Sequence, residues 1–230
     1  LNHFRCFESL RLELDSGVTL FHGKNAQGKT SILEAMCVLL RLQSPRSSQL
    51  AECIRFSEKA FAVGGKLDGI DEMELRFQYR ESGRKLIVDG ETQRRTEDYL
   101  RHSALVVWMA NDDLALVRGS GDGRRRFLDF MAGQLFPIYR PALKTYEKAL
   151  RSRNYLLKRD ASPKWPEIDA YTKILHEQGR IVSDCRRELV FQLQSRAAEA
   201  EKKISGAGES LELSYESASG EGDDLIATLE

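Results

Sequence analysis

An α/β fold built around a phosphate-binding loop, with a helical subdomain added, is predicted by three observations in this 230-residue sequence. Residues 23–30 read Gly-Lys-Asn-Ala-Gln-Gly-Lys-Thr, which fits G-x-x-x-x-G-K-[ST] at every position. Residues 61–94 hold several β-like runs with a turn signal near their end. From Arg124 onward, apolar residues recur at helical steps and continue to do so for about two further segments.

Each element of the octet has a chemical reason. Gly23 and Gly28 let the backbone wrap close to phosphate oxygens. Successive N–H groups and the N-terminus of a following helix attract an anion, Lys29 supplies a cation, and the Thr30 hydroxyl suits Mg²⁺. Lys24, Asn25, Ala26 and Gln27 form the body of the loop, and Ser31 offers a second hydroxyl. Upstream, residues 18–21 (Val-Thr-Leu-Phe) are a short apolar run that reads as the strand feeding the loop. Downstream, a helix is expected over 29–42: Ile32, Leu33, Met36, Leu39 and Leu40 recur at three- and four-residue steps, and Pro45 stops the pattern. A glycine-containing surface turn before an unrelated helix is the bland alternative. The order strand, loop, helix favours nucleoside triphosphate binding, with ATP and Mg²⁺ as the expected cofactors.

The remaining elements follow in order. Residues 9–14 alternate as a strand, and residues 61–67, 73–79 and 85–88 are β-like. Asp89-Gly90 is a hairpin turn signal before 91–94. Residues 104–109 (Ala-Leu-Val-Val-Trp-Met) form a continuous apolar run expected as a strand buried on both faces. It ends at Asn111-Asp112-Asp113, like a Walker B strand whose final acid holds Mg²⁺. A glycine-rich break at 119–123 and a helical remainder follow, instead of further parallel strands, so the run reads as a decoy. In the first expected helix Phe127, Leu128 and Met131 share a face. A second, after Pro141, carries Leu143, Tyr146, Leu150 and Leu157. In a longer third, Ile168, Tyr171, Leu175, Val182, Cys185, Leu189 and Leu193 follow steps of three, four and seven, and the turn-rich link 161–166 implies antiparallel pairing with the second. Residues 211–215 alternate as a last strand. The expected division is a nucleotide lobe over 1–118, a helical subdomain over 119–208, and a return toward the lobe over 209–230.

Composition narrows the function classes. No apolar stretch approaches the roughly 20 residues that cross a bilayer, and the start Leu1-Asn2-His3-Phe4-Arg5 is not arranged as a secretion signal, so a cytoplasmic chain with no membrane partner is expected. Cys6, Cys37, Cys53 and Cys185 lie far apart without ligand spacing, which suggests neither zinc nor a disulfide framework. The formal charge is +0, from 35 basic and 35 acidic residues. Between Arg118 and Asp160, however, eleven basic residues face four acidic ones. Such a locally positive segment is the footprint of a phosphate-backbone contact, a solvated helix face being the other reading. Arg124, Arg125, Arg126, Arg151 and Arg153 are the candidate DNA contacts.

The order strand, phosphate loop, helix, antiparallel sheet, buried strand and helical lobe resembles the P-loop NTPase heads of the ABC type found in the SMC and RecF group. Asn2-His3-Phe4-Arg5-Cys6-Phe7 is similar to the N-F-R-x-[FY] opening of these proteins. Residues 23–30 resemble the RecF family's G-x-N-A-Q-G-K-T, which Ser31-Ile32-Leu33-Glu34-Ala35 continues. Val88-Asp89-Gly90 resembles that family's short hairpin, Arg125-Arg126-Phe127-Leu128-Asp129 its R-R-x-F-L-D, and residues 148–158 its A-L-x-x-R-N-x-L-L-K. The family's usual S-P-E-D-L stands here as Ala110-Asn111-Asp112-Asp113-Leu114, which leaves open which side chain would reach Mg²⁺ or an attacking water.

The resemblance implies an ATP-dependent DNA-binding protein of recombinational repair and replication. Such a protein dimerises on DNA around ATP, acts at single-strand/double-strand junctions and gaps, and helps load recombinase with RecR- and RecO-like partners. It also implies Arg5 as a nucleotide contact. Heads of this type complete catalysis with a signature motif and a Walker B Asp-Glu pair, neither of which occurs before Glu230, so ATP hydrolysis by this chain alone is expected to be weak or absent. An SMC-like chromosome-organising head is the alternative, disfavoured by the short helical hairpin. A P-loop kinase using Asp112 or Asp113 for Mg²⁺ is the remaining one.

Overall fold

The computed structural model describes residues 1–14, 17–68, 72–110, 113–159, 165–206 and 210–216. Its contacts divide the chain into two units, Leu1–Ala110 and Asn111–Glu230.

The first unit is organised by one six-stranded sheet, all of whose described pairings are antiparallel. Its strands are β1 (Asn2–Phe4), β2 (Phe7–Ser9), β3 (Ala60–Leu67), β4 (Met73–Arg80), β5 (Gly83–Val88) and β6 (Glu91–Gln93), in the order β2-β1-β3-β4-β5-β6. Alternation fixes the register: Phe61 and Val63 on β3 and Leu75 and Phe77 on β4 are all buried, and the side chains between them are more exposed. Phe61 meets Phe4 edge-on with centroids 5.2 Å apart and stacks on Tyr79 at 5.5 Å. The expected Asp-Gly hairpin is present, with Asp89 at φ 48° and Gly90 at φ 84°, the paired positive angles that a two-residue turn between β5 and β6 requires.

The helix α1 (Lys29–Arg41) lies on this sheet, contacting β3 and β4. It ends as expected before Pro45: Leu42 takes a left-handed conformation and donates its N–H to the Val38 carbonyl at 2.9 Å. Its buried face differs from the predicted one. Glu34, Ala35, Cys37, Val38, Leu39 and Arg41 are buried, whereas Leu33 is 45% exposed. The helix is rotated so that Glu34 meets partners from distant segments, and a period count of apolar residues alone does not register an acid on the core side. A 3₁₀ turn at Leu50–Cys53 and the short helix α2 (Thr96–Arg101) complete the unit. Tyr99 of α2 is fully buried and donates its hydroxyl to the Leu39 carbonyl at 2.8 Å.

Two expected strands are not formed. Residues 18–21 and 104–109 have no strand assignment, and Val18 (100%), Leu20 (80%), Val107 (84%) and Met109 (89%) stand exposed. Both segments have β propensity and apolar character, but a strand exists only through a regular ladder with a neighbour, and neither is assigned to one. The predicted 9–14 strand is also displaced: β2 occupies Phe7–Ser9, and Leu12 and Leu14 are nearly half exposed.

The second unit is helical: α3 (Leu114–Arg118), α4 (Gly121–Leu135), α5 (Tyr139–Arg159) and α6 (Trp165–Ser205). On α6, Ile168, Leu175, Val182 and Leu189 are all buried at seven-residue intervals, as their spacing predicted. Arg153 bonds Thr172 while Arg186 bonds the Tyr139 hydroxyl, so advance along α5 is retreat along α6 and the two run antiparallel. Asp129 of α4 ties the three helices together, accepting from Tyr139 at 2.5 Å and from Arg186 at 2.9 Å. Burial and the neighbouring carboxylate raise the Tyr139 hydroxyl far above the ordinary phenol range. Residues 211–215, expected as a strand, have no strand assignment and lie against Gln194 of α6: Leu213 N–H donates to the Gln194 side-chain oxygen, and Gln194 donates to the Leu211 carbonyl at 3.2 Å. The link after Arg159, the polar pair Asn111-Asp112, and the expectations for 207–209 and 217–230 lie outside the described residues.

Candidate nucleotide site

The loop between residues 22 and 29 adopts a conformation that its glycines permit. Gly23 has φ 143°, Gly28 φ 88°, and Ala26 between them is also left-handed at φ 63°. Gly28 is required for a second reason. A Cβ there would lie 2.4 Å from Phe7 Cζ and 2.7 Å from Cys6 Sγ, so the β1–β2 hairpin packs directly on the loop's last turn. Gly28 is also the N-cap of α1 and supplies no capping side chain, leaving the first N–H groups of the helix open toward an anion. Lys29 reaches back across the loop and donates from Nζ to the Gly23 carbonyl at 2.8 Å and the Lys24 carbonyl at 2.7 Å. Its ammonium therefore sits inside the curve of the backbone, where a phosphate chain would lie.

A cavity of about 590 Å³ opens here, within the size range of small-molecule sites. Asn25, Ala26, Gln27, Gly28, Lys29, Thr30 and Ser31 form one part of its lining, and Arg5, Cys6, Arg46, Glu52 and Ile54 the other. The Thr30 hydroxyl is exposed at the start of α1 without a protein partner among the described residues. Among those residues no group of three His, Cys, Asp or Glu side chains is placed to hold a metal, and Mg²⁺ at Thr30 would draw ligands from phosphates and water as well. Lys29, Thr30 and the open helix end fit that arrangement.

Arg5 lines this cavity, but its guanidinium is engaged. Nε and one terminal nitrogen form a fork on Glu34 at 3.0 and 2.6 Å, and the other terminal nitrogen donates to the Glu52 carbonyl at 2.6 Å. Glu34, with no exposed surface, also accepts from Ser44 at 2.5 Å and Arg46 at 3.2 Å. Burial pushes its carboxyl up, but the hydrogen bonds from Arg5 and Ser44 and the two guanidinium charges outweigh it, leaving Glu34 below the ordinary carboxylate range. Cys53, 3.8 Å from the same carboxylate, is raised to about 11 by burial and that negative charge. Sequence reasoning did not find Glu34, Arg46, Cys6, Glu52 or Ile54. The available signal was an acid inside the apolar stripe of the helix, a position that burial forbids unless the charge is paired.

The five arginines considered for DNA are distributed differently. Arg124 donates to the carbonyls of Leu116 and Gly119 at 3.2 and 3.1 Å and so fastens the α3–α4 turn. Arg125 pairs with Asp122, Arg151 lies 3.8 Å from Glu147, and Arg153 donates to Thr172 at 2.9 Å. Arg126 is exposed and has no partner among the described residues.

A phosphate loop feeding a helix whose first turn is uncapped, beside an antiparallel sheet, defines a P-loop NTPase fold of the ABC and SMC head type. Consistent with it, a family profile described as an AAA domain matches residues 1–212, and the chain belongs to that family. The chain is also similar to RecF proteins. It is 35% identical over 219 residues to the DNA replication and repair protein RecF of Bacillus cereus (strain G9842) and, equally, to that of Bacillus thuringiensis (strain Al Hakam). These alignments cover 94% of this chain and 58% of each relative, so the chain spans somewhat over half their length. Among solved structures it is similar to the recombination mediator protein RecF of the RecFOR pathway. The RecF-ATPrS form superposes with a TM-score of 0.86 and the RecF-ATP form with 0.85, each 28% identical, covering 99% of this chain and 63% of the other.

Proposed function

We propose that this chain binds ATP with Mg²⁺ through residues 23–31 and acts in recombinational DNA repair and replication as a RecF-like protein. ATP draws two copies together on DNA, at single-strand/double-strand junctions, where RecR- and RecO-like partners help load recombinase. The carrying observation is the uncapped first turn of α1 with Lys29 folded into the loop before it, an arrangement of donors that suits a triphosphate tail. The likeness to RecF solved with ATP supports the nucleotide and the pathway. In this reading Arg126, exposed and without a partner among the described residues, is the foremost of the five arginines for a phosphate backbone, and Arg125 and Arg151 reach DNA by leaving weak surface pairs.

The experiment is equilibrium binding of MgATP to the full chain and to Lys29→Ala. Loss of a charge-assisted contact to phosphate predicts a weakening of about 10- to 100-fold. Unchanged affinity would end the nucleotide reading. DNA binding is tested separately through its salt dependence: Arg126→Ala should lower the slope by about one phosphate contact with no change in sequence preference.

A further inference from the structure

We infer that Glu34 is a positioning residue whose buried carboxylate assembles the part of the cavity wall that the loop does not supply, and that this wall receives the nucleoside. The inference rests on the nucleotide reading above. Five residues outside the loop line the cavity: Arg5, Cys6, Arg46, Glu52 and Ile54. Arg5 and Arg46 are direct partners of Glu34, Cys6 follows Arg5 in the chain, and Glu52 and Ile54 flank Cys53, whose thiol lies on the same carboxylate. Ser44, the remaining partner, receives the N–H groups of Arg46 and Ser47 at 3.1 and 3.0 Å and so fixes the turn that presents Arg46. The β1–β2 turn and two neighbouring segments after α1 are thereby pinned to one point on that helix, five residues past Lys29.

The chemistry of this wall differs from that of the loop. The loop offers N–H groups, an ammonium and hydroxyls, which suit phosphate oxygens. The wall offers two planar guanidinium groups, a carboxylate, an aliphatic side chain and a thiol, which suit the flat ring and hydroxyls of a nucleoside. Of the two guanidiniums Arg46 is the more open, its side chain 45% exposed against 23% for Arg5, and it carries its charge to the cavity, which Glu52 also lines. The loop thus captures the tail, and Glu34, through its partners, orients the surface for the remainder of the ligand.

The test compares ATP with inorganic tripolyphosphate, which has the tail and no nucleoside, on the full chain. Glu34→Gln should weaken ATP about 10-fold and leave tripolyphosphate within about 2-fold. Arg46→Ala, at a half-exposed position that does not threaten folding, should give the same separation in smaller measure and carries the test should Glu34→Gln fail to fold. A parallel fall for both ligands assigns Glu34 to general support of the loop and overturns the inference, as does no change for either. If Lys29→Ala binds tripolyphosphate as well as the unsubstituted chain does, the nucleotide reading itself has failed, and this inference falls with it.

Discussion

Replacing Gly28 by alanine tests how the loop is held. At φ 88° an alanine costs about 1 kcal/mol for the left-handed backbone alone. Its methyl carbon would also sit 2.4 Å from Phe7 Cζ and 2.7 Å from Cys6 Sγ, about 1 Å inside ordinary contact, which adds about 1–3 kcal/mol of overpacking. The expected loss is therefore about 2–4 kcal/mol. Denaturant melts of Gly28→Ala, Phe7→Ala and the double variant separate the two contributions. Removing the ring should relieve the Phe7 part of the clash and leave the Cys6 contact and the backbone strain, giving a favourable coupling of about 1–2 kcal/mol. If the two substitutions add within about 0.5 kcal/mol, Phe7 does not press on the loop and the packing account is wrong.

Further outcomes are expected elsewhere in the molecule. Because Glu34 is held below its ordinary 4.5, the stability it contributes is present at neutral pH and disappears as pH falls through that lowered value; Glu34→Gln should flatten the acid limb of urea midpoints measured between about pH 3 and pH 6. Asp129→Ala leaves Arg186 and the Tyr139 hydroxyl without their shared acceptor and should destabilise the helical unit by about 3 kcal/mol, with Tyr139→Phe costing about 1 kcal/mol, both read from thermal melts. Leu175→Ala, at a fully buried position on α6, should cost about 3 kcal/mol. Of the four thiols only Cys6 is exposed, so maleimide should label it first on the native protein, and MgATP should slow that labelling because Cys6 lines the cavity.

Those parts of the structure that depend on short-range rules were readable from residue order. The phosphate loop is one, since glycine angles and a helix start are local matters. The β5–β6 hairpin is another, because Asp89-Gly90 is favoured where two positive φ angles follow each other. The pairing of α5 with α6 was legible in the seven-residue spacing from Ile168 to Leu189. What was missed depends on distant partners. Arg5 lies 29 positions from Glu34, so neither the rotation of α1 nor the fate of the Arg5 charge could be inferred from either neighbourhood. Residues 18–21 and 104–109 were read as strands from apolar, β-branched composition, which describes a surface that prefers to be covered and does not provide the cover. The wall around Arg46 and Ile54 escaped because nothing in its own sequence marks it; only the carboxylate beneath it does.

Three fastenings along α1 have a mechanical consequence. Phe7 and Cys6 pack against the Gly28 cap before its first turn, Glu34 grips its middle, and Tyr99 catches the Leu39 carbonyl near its far end. A rod restrained at both tips and the centre cannot pivot or slide as a lever does. Whatever message the ligand sends must travel through the flanking segments, and the amides of this helix should exchange with deuterium only when the whole first unit opens.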